Sequence, residues 1–295
     1  MPQLKHLLTD CLRNPRYVIY LWKNIHIIRD HFPSLWQYCL RKKALDLGEE
    51  APLNRLHVIL RTTDLVMNLN STRQLDDMGI ADKQDVIRIG GCSLFGAAKR
   101  FVEEFGDKLK ITIVSDRLSA EGLCLYREAA RKVSLDFDVV ESVGHGNGPS
   151  FQTQLDIAFA DKDDTLVLIL EDDYLLLEDA LVVPFKIMRD HSSVVGFNPH
   201  FHPDRVQRQD FGRLCVVDHR LYCQVASTCC TFFMRKRDLK RYEIYLRFYK
   251  GTEDGSVNIA WERELCLAPL GWTLAEHLHR NDLSPTTFLG TTPHA

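Results

Sequence analysis

Residues Thr165–Leu170 read TLVLIL, the most apolar run in the chain, and they lead directly into Glu171-Asp172-Asp173. The run reads as a buried strand. Three carboxylates at its end repel one another, and their partial burial is costly without a cation. A divalent ion removes that cost. Mg2+ and Mn2+ favour carboxylate and phosphate oxygen, and few protein ligands are needed where a diphosphate supplies the rest. Acids also gather in solvated loops and at helix N-termini, so the surroundings of the triplet decide its meaning.

Working outward, Leu56–Leu60 and Ile111–Val114 are further apolar strands, ending in Arg61-Thr62-Thr63-Asp64 and Ser115-Asp116-Arg117. Phe137–Val140 is a shorter one. A small strand is expected at Asp85–Ile89, and helices over Ser93–Phe105 and residues 120–133. The Gly-rich loop Gly144–Ser150 precedes a helix from about Phe151 to Ala160. Strands alternating with helices predict βαβ units and a mainly parallel sheet. Such sheets bind ligands at the carboxyl ends of their strands, where Arg61–Asp64, Asp116 and Glu171–Asp173 all lie.

The second half is less regular. Short strands are expected at Val194–Asn198, Cys215–Val217, Leu221–Gln224 and Thr231–Met234. Helices are expected at Arg237–Phe248 and Ser256–Leu265, and an extended segment at Thr273–His279.

The chain has 295 residues, 45% of them apolar, enough for a full core without a disulfide framework. Its nine Cys are scattered and form no CxxC pair, which speaks against a zinc cluster and for a reducing compartment, the cytosol. A net charge of −3 speaks against nucleic acid as a partner. Residues 1–43 nevertheless hold eight Lys/Arg against two acids, leaving −9 on the remainder. This stretch reads as a helical appendage (residues 1–50). It either packs on the rest of the chain or lies on an anionic membrane surface, and its apolar run Tyr17–Trp22 is too short to span a bilayer.

The stretch LVLILEDDYLLLEDAL (Leu166–Leu181) resembles the metal motif of GT-A glycosyltransferases, in which an apolar strand delivers a DxD or EDD motif followed by an apolar residue and a helix. Asn147-Gly148-Pro149-Ser150-Phe151 ahead of a helix resembles the corresponding part of family 2 glycosyltransferases. The resemblance covers about residues 55–280 and implies a Rossmann-like twisted sheet flanked by helices over residues 51–295. Its nucleotide-sugar half would be residues 55–175 and its acceptor half residues 176–295.

The resemblance also implies roles. Asp173 would be the direct ligand of Mn2+ or Mg2+, with Glu171 and Asp172 on ribose or metal-bound water. Arg61, Thr62, Asp64, Asp116 and Asn147 would hold the nucleotide sugar. Near the C-terminus, His279 or His277 would add a metal ligand, and Arg280 suits phosphate. Transfer to a hydroxyl needs a base. The Gly-flanked turn Tyr249–Ser256 offers Asp254 first and Glu253 second, although acids at a helix N-terminus are also favoured by the dipole. His200-Phe201-His202 reads as lining for an acceptor pocket, and Cys229-Cys230 as a buried strand pair.

The expected reaction moves a sugar from a nucleotide diphosphate, UDP first, to a glycan or lipid-linked acceptor, with inversion. A sugar-phosphate nucleotidyltransferase, a retaining transferase and a non-catalytic GT-A-like binding module are the alternatives.

Overall fold

The computed structural model describes residues 52–64, 82–201, 212–228, 231–247 and 253–278, with the backbone alone for 253–256. The basic appendage, Cys229-Cys230, His202, His279 and Arg280 lie outside these residues. Among the described residues no helix is long and apolar enough to cross a membrane, and Cys92, Cys124 and Cys215 are free thiols.

The chain begins with β1 (Arg55–Thr62), α1 (Lys83–Phe105), β2 (Leu109–Ser115), α2 (Ala120–Lys132), β3 (Asp138–Glu141), α3 (Asn147–Phe159) and β4 (Thr165–Glu171). Then come β5 (Tyr174–Leu176), α4 (Val182–Asp190), β6 (Val194–Phe197), β7 (Leu214–Val217), β8 (Arg220–Gln224) and β9 (Phe232–Arg235). Helices α5 (Lys236–Arg241), α6 (Glu243–Arg247) and α7 (Glu253–Trp261) follow, then β10 (Leu265–Pro269) and β11 (Ala275–His277).

Nine strands form one sheet in the order β3-β2-β1-β4-β9-β6-β10-β8-β7. The first four are mutually parallel, and tracing the pairings onward shows that only β8 and β9 run against the other seven. This is the mainly parallel α/β sheet flanked by helices that the alternating pattern predicts. β5 and β11 pair separately, antiparallel.

Because side chains alternate along a strand, β1 feeds two cores. Leu56, Val58 and Leu60 pack with Leu94, Phe95 and Phe101 of α1 and Tyr126 of α2. Ile59 packs on the opposite face with Val114, Phe151 and Leu155. Buried His57 shares that face, with Nδ1 2.6 Å from Asp161 Oδ2 and Nε2 2.8 Å from Thr112 Oγ1.

Four boundaries differ from expectation. Asp85–Ile89 is helix, not strand. Asp82 caps α1 by accepting from the Asp85 N–H at 2.9 Å, and the buried stripe Val86, Ile87, Gly90, Gly91, Leu94 runs straight through the glycine pair. Those glycines mark close approach: a Cβ on Gly91 would sit 3.1 Å from the Tyr126 ring, and one on Gly90 3.2 Å from the Asp172 carbonyl oxygen. α3 begins at Asn147, because Pro149 in a first turn forfeits no hydrogen bond. In the second half, α7 ends at Trp261 and Leu265 already belongs to β10, while the helical stretch after Arg235 breaks at Tyr242 into α5 and α6.

Trp261 fixes α7 to the sheet. Its Nε1 donates to Thr228 Oγ1 at 2.8 Å, and its ring covers Gly196 of β6 so closely that a Cβ there would fall within the indole. Gly196→Ala is therefore expected to destabilise the protein by about 1–3 kcal/mol through overpacking. A urea midpoint unchanged from wild type would contradict that contact.

Candidate active site

In the parallel register Arg61 lies beside Glu171, so both point to the α3 face. Arg61 Nη2 forms an ion pair with Glu171 Oε1, and Nη1 donates to the Asn147 carbonyl at 2.9 Å. Asn147 thus enters the site through its main chain, at the first residue of α3. One position on, side chains point the other way. There Thr62 Oγ1 donates to Asp172 Oδ2 at 2.7 Å and the Thr63 N–H reaches the same oxygen at 3.2 Å. Lys83 Nζ, from the start of α1, sits 2.7 Å from Asp172 Oδ1. Tyr126 completes this group by donating to Thr62 Oγ1 at 3.2 Å. Burial and the nearby Asp172 charge push the Tyr126 hydroxyl far up, so it remains a neutral donor.

Asp173 occupies the turn between β4 and β5. Its carbonyl accepts the Leu278 N–H at 2.7 Å, and its Oδ2 lies 3.2 Å from His277 Nε2 on β11. Its Oδ1 is buried with no hydrogen-bond partner among the described residues. Burial disfavours the Asp173 charge, but His277, Lys83 and Arg61 outweigh it and hold the carboxyl below the usual range.

The triplet therefore departs from the expectation that its acids need a metal to offset crowding. Alternation turns Asp172 away from Glu171, the turn after β4 redirects Asp173, and Arg61, Lys83 and His277 each meet one of the three. Lys83 was not legible in the sequence: it lies 89 residues from its partner, in no recognisable motif.

Asp64 and Asp116 form a second group that braces loops. An Asp64 oxygen accepts the Ser119 N–H at the start of α2. Asp116 Oδ2 accepts the Gly146 N–H at 2.7 Å, and Oδ1 lies 3.0 Å from His145 Nδ1 and 3.3 Å from Arg117 Nε. Burial opposes ionisation of Asp116, yet Gly146, His145 and Arg117 hold its carboxyl below the usual range. The acid at the end of β2 thus shapes the Gly-rich loop leading into α3.

The backbone of Glu253 and Asp254 forms the first turn of α7. His200, expected to line an acceptor pocket, is buried, with its ring centroid 6.1 Å from that of His277.

Among the described residues no set of three or more His, Cys, Asp or Glu could hold an ion by itself. Asp173 and His277 nevertheless fit a divalent ion as a partial ligand set: one buried carboxylate oxygen lacks a partner, and an imidazole nitrogen stands beside the same carboxylate. Both atom types suit Mn2+, and carboxylate suits Mg2+.

No family model matches the sequence, and no curated protein matches it. Solved structures similar to it include the mannosyltransferase PcManGT from Pyrobaculum calidifontis in complex with GDP-Man and Mn2+. That likeness has 17% identity and a TM-score of 0.47, over 84% of this chain and 65% of that one. Residues 1–349 of S. aureus TarS give 14% identity and a TM-score of 0.47, over 72% and 57%. This chain thus spans less than two thirds of either structure. A Bacillus anthracis protein assigned as a glucose-1-phosphate thymidylyltransferase, in complex with a sucrose, gives 9% identity and a TM-score of 0.45, over 81% and 97%. These likenesses decide nothing between sugar transfer and nucleotidyl transfer.

Two outcomes follow from the charge pairing. Lys83→Met leaves the buried Asp172 without its cation and is expected to cost about 3–5 kcal/mol. The double variant Lys83→Met/Asp172→Asn should recover most of that loss in urea denaturation, and equal losses in both would contradict the pairing. In EDTA the wild-type protein should unfold in one cooperative transition, since its acids are already compensated. Loss of the fold in EDTA would show that they are not.

Proposed function

We propose that the chain is a metal-dependent glycosyltransferase of the GT-A type. In this reading it moves a sugar from a nucleotide diphosphate, UDP first, to a hydroxyl of a glycan or lipid-linked acceptor, with inversion. The observation that carries the proposal is the buried, unpartnered Oδ1 of Asp173 at the carboxyl end of the central parallel strands, beside His277. A carboxylate oxygen kept ionised there, in a turn whose other acids already have cations, is suited to a ligand from outside the chain.

Asp173 and His277 would hold Mn2+ or Mg2+, with His279 as a further candidate ligand. The ion, when bound, supplies positive charge to the leaving diphosphate. Arg61 and Lys83 add fixed positive charge next to the same place, and their own ion pairs hold them there, so little reorganisation is needed as charge develops. Thr62, Asp64 and Asp116 end β1 and β2 and keep the adjoining loops open at the same sheet edge for a nucleotide. Glu171 and Asp172 serve chiefly as anchors for Arg61 and Lys83. Asp254 takes the acceptor proton as the new bond to the anomeric carbon forms, with Glu253 the second candidate.

A thermal-shift panel of nucleoside diphosphates with and without Mn2+ tests this reading. A nucleotide at 100 times its dissociation constant should add about 2.7 kcal/mol of stability, and only with the metal. Asp173→Ala should abolish that gain. Asp254→Ala should keep it and lose transfer, and full transfer by that variant would remove Asp254 as the base. Turnover of a nucleoside triphosphate with a sugar phosphate, without transfer from a nucleotide sugar, would assign the site to nucleotidyl transfer instead.

A further inference from the structure

β11 is only three residues long, yet it carries His277, and it is held from both sides. On one side it pairs with β5, with His277 directly opposite Tyr174, and the hydrogen bond from the Leu278 N–H to the Asp173 carbonyl extends that ladder. On the other side the segment after β6 contacts it. The Pro199 carbonyl accepts the Leu274 N–H at 2.9 Å, and His200 forms a parallel bridge with Ala275.

The side chains continue what the backbone begins. The Tyr174 ring lies flat on the His277 imidazole, with centroids 4.6 Å apart and planes 11° apart. His200 stands edge-on to both, 5.8 Å from Tyr174 at 80° and 6.1 Å from His277 at 74°. The orientation of His200 is itself set. Its Nδ1 is 2.9 Å from the Ala275 carbonyl, and a carbonyl only accepts, so Nδ1 carries a proton. Its main-chain N–H is held by Asn198 Oδ1 at 2.9 Å. Tyr174 and His200 are both nearly fully buried, at 3% and 2% exposure, so neither ring has room to turn.

We infer that Tyr174, backed by His200, is a positioning residue for the metal site: it fixes the plane of the His277 imidazole so that Nε2 faces the Asp173 carboxylate. The inference rests on the proposed role of Asp173 and His277. An imidazole side chain has several rotamers open to it, and the stacked ring selects the one that directs Nε2 to the carboxylate. Neighbours that orient a metal-ligating histidine commonly govern affinity tenfold or more. Here a flat aromatic contact sets the plane of the ring. The phenol oxygen is not needed for that, so the ring alone should suffice.

The test is Mn2+ binding to the full chain, followed by the electron paramagnetic resonance of the free ion, with and without UDP. Tyr174→Leu should weaken Mn2+ about tenfold or more, while Tyr174→Phe should keep wild-type affinity. Leu176→Ala is the control for general loosening. It removes buried core volume from the same strand without touching the imidazole, so it should lower the melting temperature and leave Mn2+ affinity unchanged. If His277→Ala binds Mn2+ like wild type, or wild type does not bind it at all, the metal site itself falls and the inference with it. If His277→Ala loses Mn2+ but Tyr174→Leu retains it, the positioning role alone is overturned. Equal losses in Leu176→Ala and Tyr174→Leu would also overturn it, by reducing the effect to core damage.

Discussion

The architecture of the site depends on how charge is distributed at the end of β4. Neighbouring side chains at a strand end point to opposite faces, so Glu171 turns toward α3 and Asp172 toward α1, and the turn before β5 redirects Asp173. Each direction meets a different partner: Arg61 from the neighbouring strand, Lys83 from the first helix and the His277 imidazole from the small second sheet. An unpaired buried carboxylate would be expensive, and the ion pairs with Arg61 and Lys83 offset that cost within the protein. They also tie β1, β4 and α1 together at the sheet edge where the nucleotide is proposed to bind. The site is thereby preorganised, and Asp173 keeps a buried carboxylate oxygen with no hydrogen-bond partner among the described residues, as does Asp64.

The same compensation clarifies what each residue does. Asp172 has Thr62, Thr63 and Lys83 on its two oxygens, which makes it a structural lock on the loop after β1. Asp116 similarly spends both oxygens on the Gly-rich loop and its neighbours. The loops that surround a prospective nucleotide are thus held by carboxylates from the strand ends.

Much of the first half was legible in the sequence because its physics is local. The strands Leu56–Leu60, Ile111–Val114 and Thr165–Leu170 are apolar runs bounded by polar residues, and their alternation with helices dictates a parallel arrangement. The start of α1 was not legible, since a glycine pair interrupts its stripe, and only the packing of Tyr126 and the Asp172 carbonyl explains those glycines. β5 was hidden for a different reason: Tyr174–Leu176 is three residues long and becomes a strand only because β11, about a hundred positions later, pairs with it. Lys83 and His200 belong to the same class. Their importance comes from long-range contact with Asp172 and with the Tyr174–His277 pair, which no local pattern encodes. By contrast, a late histidine beside Asp173 was anticipated through a resemblance, with His279 preferred and His277 in reserve; His277 stands beside Asp173, and His279 lies outside the described residues.

The central claim is that Asp173 and His277 together face a divalent ion. Its most direct test is a crystal of the full chain grown with Mn2+ and UDP, with data collected at the manganese absorption edge. The account predicts one strong anomalous peak within coordinating distance of Asp173 Oδ1 and His277 Nε2, with diphosphate oxygens completing the shell and Lys83 still on Asp172. A peak held by Glu171 or Asp172 in place of Asp173, or a nucleotide bound at this edge with no anomalous signal, would contradict it.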